Sequence, residues 1–292
     1  MKTLKVLLEG LRFPESPRWH DGRLWFSDMH SRRVMAVDLD GRAETIVELE
    51  TRPSGLGWLP DGRLLIVSME DHRVLRLDRG GPVALADCSA FASFLSNDMV
   101  VDAQGRAYVG NFGFDIFTAP VRPRTTSLAL VHPDGRVARA AADLMFPNGT
   151  VITPDGKTLI VGESYAARLT AFDIAPDGSL GNRRVWARLG RTDDPLSERP
   201  LPPVPDGIGL DAEGAIWVAA PTTREVLRVV EGGAITDRIP VSTTAYACML
   251  GGPSGRTLFV CTAAEHDPSR TNETRAGRIE CCEVTVPHAG MP

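Results

Sequence analysis

The chain has 292 residues, 43% of them hydrophobic and 24% charged, with a formal net charge of −5. These proportions are ordinary for a folded globular protein and argue against disorder. The arginines are scattered one or two per unit instead of gathered in a stripe, which argues against nucleic acid as a partner, and no apolar run approaches the roughly 18 residues of a membrane span.

At the N-terminus, Val6-Leu7-Leu8 is cut off by Glu9 and Arg12, too short an apolar run for a secretory signal. The five cysteines, Cys88, Cys248, Cys261, Cys281 and Cys282, form no CxxC pair and are odd in number. That pattern suits free, buried thiols in a reducing compartment, and the expected location is cytoplasmic. Adjacent Cys281 and Cys282 would face opposite sides of a strand.

In chain order, the first unit runs from Ser16 to Trp19 through Arg23-Leu24-Trp25-Phe26-Ser27-Asp28 and Val34-Met35-Ala36-Val37-Asp38 to Glu44-Thr45-Ile46-Val47-Glu48. Four short β-rich runs with turns every 8 to 12 residues mark an all-β array. The second unit repeats the scheme from Pro60-Asp61-Gly62, where Asp-Gly supplies the left-handed conformation that a tight turn needs. The third begins its turn at Asp102-Ala103-Gln104-Gly105 and is interrupted by residues 112–126, with three phenylalanines and two prolines. The fourth follows Pro154-Asp155-Gly156 and is separated from the fifth by the proline-rich residues 191–205, which cannot continue a strand or helix. Ala215-Ile216-Trp217-Val218-Ala219 and Arg256-Thr257-Leu258-Phe259-Val260 carry the last two units. No helical period of ten residues or more is present, apart from single turns near Ser89 to Ser93. Six units of about four antiparallel strands predict a single six-bladed β-propeller domain over residues 1–292.

The turn glycines Gly22, Gly62, Gly105, Gly156, Gly214 and Gly255 set a common register. Eight positions before four of them stand Ser54, Asn97, Asn148 and Asp206, and seven before the first stands Glu15. Only the sixth unit, Ala245-Tyr246-Ala247-Cys248, lacks an oxygen side chain at that position. In a propeller these positions start the innermost strands and converge on one mouth of the axial channel. Two carboxylates with amide oxygens and no His or Cys form a hard-oxygen set, suited to one divalent cation such as Ca²⁺, Mg²⁺ or Mn²⁺, with Zn²⁺ or Fe²⁺ as alternatives.

Phe13-Pro14-Glu15-Ser16-Pro17-Arg18-Trp19, Asn97-Asp98 leading to Asp102-Ala103-Gln104-Gly105-Arg106, Phe146-Pro147-Asn148-Gly149 and Pro205-Asp206-Gly207 occur in this order along the chain. Together they resemble the senescence marker protein / gluconolactonase / luciferin-regenerating enzyme family over essentially the whole length. The resemblance implies a six-bladed propeller with a divalent cation held by Glu15, Asn148 and Asp206. It also implies Asn97 against substrate or ion, and hydrolysis of a lactone or related ester in which Asp206 moves protons.

Two positions depart from the family pattern. Sugar lactonases of the family commonly place Arg where this chain has Leu95, and the usual Glu-Gly-Pro is Glu15-Ser16-Pro17. With Leu95, Phe94, Met99, Phe112, Phe114 and Phe117 as an apolar wall, the expected substrate is a less polar lactone. Ser54, in Pro53-Ser54-Gly55, is expected to line the pocket without acting as nucleophile, since no base neighbours it in sequence. No Gly-x-Ser-x-Gly elbow is present. His20, His30, His72, His132, His266 and His288 fall at turns and read as solvated. Residues 112–126 and 191–205 are expected over the metal-side mouth. The competing functions are a calcium-dependent phosphotriesterase-like hydrolase and a non-enzymatic metal-binding scaffold.

Overall fold

Five repeat units each become one four-stranded antiparallel sheet, the sixth supplies three strands of another, and the six sheets stand in a ring. The computed structural model describes residues 3–192 and 194–290. The innermost strands are Pro14–His20, Pro53–Trp58, Ser96–Val101, Pro147–Ile152, Ile208–Leu210 and Thr244–Gly251, and they touch in cyclic order, the sixth against the first. The six turn glycines all adopt the left-handed conformation, with φ between 70° and 83°. An L side chain is strained there, which explains why this residue type keeps the register of the repeat.

The sixth sheet is completed from the other end of the chain. Its outermost strand is Lys5–Leu11, paired antiparallel with Gly277–Glu283 through Lys5 to Cys281, Val6 to Glu280, Leu8 to Ile279 and Leu11 to Gly277. The short apolar run at the N-terminus is therefore the strand that closes the ring.

The strand second from the axis is buried on both faces because each sheet is covered by a neighbour on either side. In Leu64-Leu65-Ile66-Val67, Leu65 and Val67 enter the core shared with the third blade, whereas Leu64 and Ile66 enter the core shared with the first. A strand alternates its faces, so four consecutive apolar residues serve two interfaces. The same rule sends Cys281 to the first-to-sixth interface and Cys282 to the fifth-to-sixth. None of the five cysteines is in a disulfide.

A buried carboxylate pins the chain just ahead of two innermost strands. Asp28 accepts hydrogen bonds from the backbone N–H of Arg12 and Phe13, each at 3.0 Å, and pairs with Arg33. Glu163, fully buried at the equivalent place in the fourth blade, accepts from Met145 N–H at 2.8 Å, pairs with Arg168 and Arg183, and takes the Thr170 hydroxyl. These pins lie two residues before Glu15 and three before Asn148, and they fix where those side chains emerge.

The helix Pro268–Thr274 follows the sixth blade's second strand, and its Asp267 cap accepts from Ser269 N–H. Near Ser89, the N–H groups of Phe91 and Ala92 both reach the Cys88 carbonyl in a single turn. Among the described residues no helix is long and apolar enough to cross a membrane.

Burial alone would raise the Glu163 carboxyl, but its hydrogen bonds from Arg168 and Thr170 hold it below the ordinary 4.5. The ionised form is thus favoured by folding, and its contribution is complete above that ordinary value and disappears as pH falls through the folded one. Glu163→Gln should cost about 1.5–3 kcal/mol at neutral pH, as for a charged hydrogen bond. Urea unfolding across pH would show the gap to the parent shrinking below pH 4.5; a gap independent of pH would deny the carboxylate this role.

Candidate active site

One cavity opens at the end of the axial channel where the innermost strands begin. Glu15, Asn97, Asn148 and Asp206 all reach it, from four different blades. Their convergence depends on close approach between neighbouring strands. A Cβ on Gly149 would lie 2.4 Å from Ile208 N and 2.6 Å from the Asp206 carbonyl oxygen, which instead accepts the Gly149 N–H at 3.1 Å. Asparagine and aspartate from adjacent blades are thereby brought side by side.

A chain of polar contacts fixes the two amides. Ser54 Oγ donates to Asn97 Oδ1 at 3.4 Å, Asn97 Nδ2 to Asn148 Oδ1 at 3.1 Å, Asn148 Nδ2 to Ser164 Oγ at 3.2 Å, and Ser164 Oγ to the Pro205 carbonyl at 2.7 Å. Asn148 also hydrogen-bonds the Asp206 carboxylate. Glu15 accepts from Ser16 N–H at 2.8 Å. Beside it, Arg18 donates to Asp98 Oδ1 at 2.8 Å and to the Met99 carbonyl, so its charge is engaged by Asp98.

Burial pushes the Glu15 carboxyl up to about 8; the Ser16 N–H opposes this, while the Asp98 charge adds to it. Burial and then the Glu15 charge raise Asp206 well above the ordinary aspartate range. Two buried carboxylates therefore share a pocket in which protein groups do not balance their charge. A divalent cation would do so, and carboxylate and amide oxygens suit a hard ion. Among the described residues there is no group of three or more His, Cys, Asp or Glu side chains that could hold a metal, so any such set must include the amides.

The remaining candidates lie in a different layer. Ser54 is buried behind Asn97 and serves it as a hydrogen-bond donor. Leu95 packs on the apolar cluster of Phe13, Met29, Met69 and Tyr246 without reaching the cavity. Phe114 is buried edge-on against Tyr165, centroids 4.8 Å apart, and supports Phe146 from behind. Met99 belongs to the core between the second and third blades. Phe112 does line the cavity, stacked on Phe146 with centroids 4.5 Å apart, and Ile116 and Phe117 join it. Residues 112–126 thus contribute to the mouth. In residues 191–205, of which Asp193 lies outside the described residues, no described side chain joins the lining; the segment folds around Glu198, which accepts from Arg191 and Thr192.

His30 departs from the solvated-turn expectation. It is 8% exposed, stacks on Phe13 at 4.7 Å and 17°, lines the cavity, and places Nδ1 2.7 Å from Thr271 Oγ1 on the helix. Burial, followed by the Arg52 charge, pushes it down to about 4, so the ring is neutral near pH 7. Its position after the Asp28 pin was the available signal. His20 stacks on Trp58 at 4.0 Å and is likewise a packing residue. Tyr246 occupies the sixth blade's share of the lining, where the sequence offers no oxygen ligand at the repeat position. Arg52, just before the second innermost strand, also lines the cavity and was not anticipated.

Ser16 replaces the family glycine at a backbone conformation of φ 49°, the left-handed region that favours glycine, and its buried hydroxyl has no hydrogen-bond partner among the described residues. The departure is a local cost borne beside Glu15.

Comparison with known proteins agrees with this architecture. The chain is 30% identical over 275 residues to regucalcin of Gallus gallus, covering 91% of this chain and 89% of that protein. It is 28% identical over 269 residues to pentonolactonase XacC of Haloferax volcanii, covering 90% and 86%. The fold is shared with the crystal structure of a calcium-binding protein, regucalcin, from Agrobacterium tumefaciens, with a TM-score of 0.79, 23% identity, and coverage of 100% of this chain and 97% of that one. The pattern of the SMP-30/Gluconolactonase/LRE-like region matches residues 13–264, and the chain belongs to that family.

Proposed function

We propose that this chain hydrolyses a lactone or related cyclic ester in the axial cavity, with one divalent cation held by Glu15, Asn148 and Asp206. The observation that carries the reading is the pair of buried carboxylates, Glu15 and Asp206, raised in pKa by burial and flanked by amides in a cavity with aromatic and aliphatic walls. Membership of the family and the pentonolactonase relative support lactone hydrolysis. The hard-oxygen donors and the calcium-binding relative favour Ca²⁺ over Zn²⁺, Mn²⁺, Mg²⁺ or Fe²⁺.

When bound, the cation supplies Lewis acidity toward the substrate oxygen and balances the two carboxylates. Asp206 accepts a proton from the attacking water as its oxygen bonds to the carbonyl carbon. The ring C–O bond then breaks, and that proton passes to the departing alkoxide oxygen, giving the open hydroxy acid. Asn97, held by Ser54 and Asn148, orients the substrate through its amide. Phe112 and Phe146 keep bulk water from the reacting centre.

Chelation should abolish hydrolysis and Ca²⁺ should restore it. Asp206→Ala should lower kcat by about 10²–10⁴-fold while the far-UV β signal is retained, since the inter-blade cores are untouched. Asn148→Ala should be milder, because a neutral ligand is lost and the charge balance is kept. Full activity in Asp206→Ala at full metal occupancy would remove that residue from the mechanism. Chelated and restored protein assayed on a phosphotriester, in parallel, distinguishes the phosphotriesterase-like alternative; metal binding with turnover of neither substrate would indicate a scaffold.

Substrate polarity gives a second expectation. The cavity wall is built from Phe112, Phe146, Met29 and Ile116, and the guanidinium that sugar lactonases of the family commonly place at the Leu95 position is missing. Each additional buried CH₂ contributes about 0.8 kcal/mol, close to fourfold. The ratio of kcat/KM for an alkyl-substituted lactone to that for gluconolactone should exceed one, measured with the same metal and corrected for spontaneous opening. A ratio well below one would show that other groups hold sugar hydroxyls.

A further inference from the structure

The cavity has two polar poles of opposite sign. Glu15 and Asp206 supply the negative one, and Arg52, paired with Glu70 through its Nε side, supplies guanidinium N–H donors at the lining. The Arg52 side chain is only 16% exposed. Glu70 accepts both its backbone N–H and its Nε–H, which fixes the guanidinium plane. The two terminal nitrogens have no hydrogen-bond partner among the described residues. A guanidinium carries five N–H donors, and the pair at its end matches the two oxygens of a carboxylate.

The neighbouring groups do not duplicate this charge. His30 is neutral near pH 7 because burial and Arg52 itself disfavour its protonation. His266 is exposed at the mouth beside Glu265. Between the poles the walls are aromatic and aliphatic, with Phe13, Met29, Met69 and Phe112 among them.

We propose that Arg52 forms an anion subsite, and that the preferred substrate is an amphiphilic lactone with an apolar body and a carboxylate substituent. The carboxylate binds end-on to the Arg52 guanidinium while the ring ester faces Glu15 and Asp206. The substrate class rests on the lactonase reading above; the anion subsite does not.

Two measurements separate them. In the first, kcat/KM is compared for a γ-butyrolactone bearing a carboxylate at the end of an alkyl side chain and for its methyl ester. The parent should favour the carboxylate, and Arg52→Met should reduce the ratio of the two by about tenfold to a hundredfold, the range of one or two charge-assisted hydrogen bonds. Arg52→Lys, which keeps the charge without the planar fork, should give an intermediate ratio and serves if Arg52→Met does not fold. An unchanged ratio in a folded variant would overturn the proposal.

In the second, chelated protein is titrated with 4-phenylbutyrate and with its neutral amide by calorimetry. At least tenfold tighter binding of the carboxylate, lost in Arg52→Met, is expected. Equal binding of the two, or a carboxylate preference that persists in Arg52→Met, would overturn the subsite even if lactones are hydrolysed. The expected preference in a protein that opens no lactone would leave the subsite standing and remove the lactonase reading.

Discussion

Ring closure is the constraint on which the rest of the molecule depends. The pairing of Lys5–Leu11 with Gly277–Glu283 joins residues near the two ends of the chain and places the first innermost strand against the sixth. Glu15 lies four residues beyond that closing strand, whereas Asp206 belongs to the fifth blade. The two carboxylates share one cavity only while the circle is complete. The site is thus a property of the assembled ring, and the pins at Asp28 and Glu163 refine it by setting where neighbouring side chains emerge.

Much of this was legible in the sequence because glycine marks the turns. A left-handed turn excludes most residues, so the glycines keep their register while the blades diverge, and counting back from them finds Asn97, Asn148 and Asp206. The number of blades followed from the same marks. The closing strand was hidden because its partner lies at the other end of the chain, and a short, partly exposed edge strand has little periodicity to betray it. His30 read as a turn residue, yet the single 3-10 turn after Asp28 folds it inward onto Phe13. Spacing reports which strand a residue starts, but not which layer of the mouth it occupies; Leu95, Phe114 and Ser54 lie behind the side chains that line the cavity.

The site combines three electrical environments that would be incompatible in one blade. Uncompensated carboxylates, a neutral amide relay and an engaged guanidinium each require a different local arrangement of donors. The propeller supplies them from separate strands: Glu15 beside Ser16 N–H, Asn97 and Asn148 bonded to each other, and Arg52 fixed by Glu70. Because each unit contributes only one or two side chains, the chemistry can be altered blade by blade without changing the packing that holds the blades together.

That packing has a consequence for how the molecule comes apart. Each blade buries apolar faces against two neighbours, as the alternation of Leu64-Leu65-Ile66-Val67 between two cores shows. A linear array of repeats has terminal units with one interface and can fray from them. A closed circle has no such unit: releasing any blade opens two cores at once, and releasing Lys5–Leu11 uncovers an unpaired edge on Gly277–Glu283. Unfolding is therefore expected to be a single cooperative event, and the floor of the axial cavity should persist until the whole circle is lost.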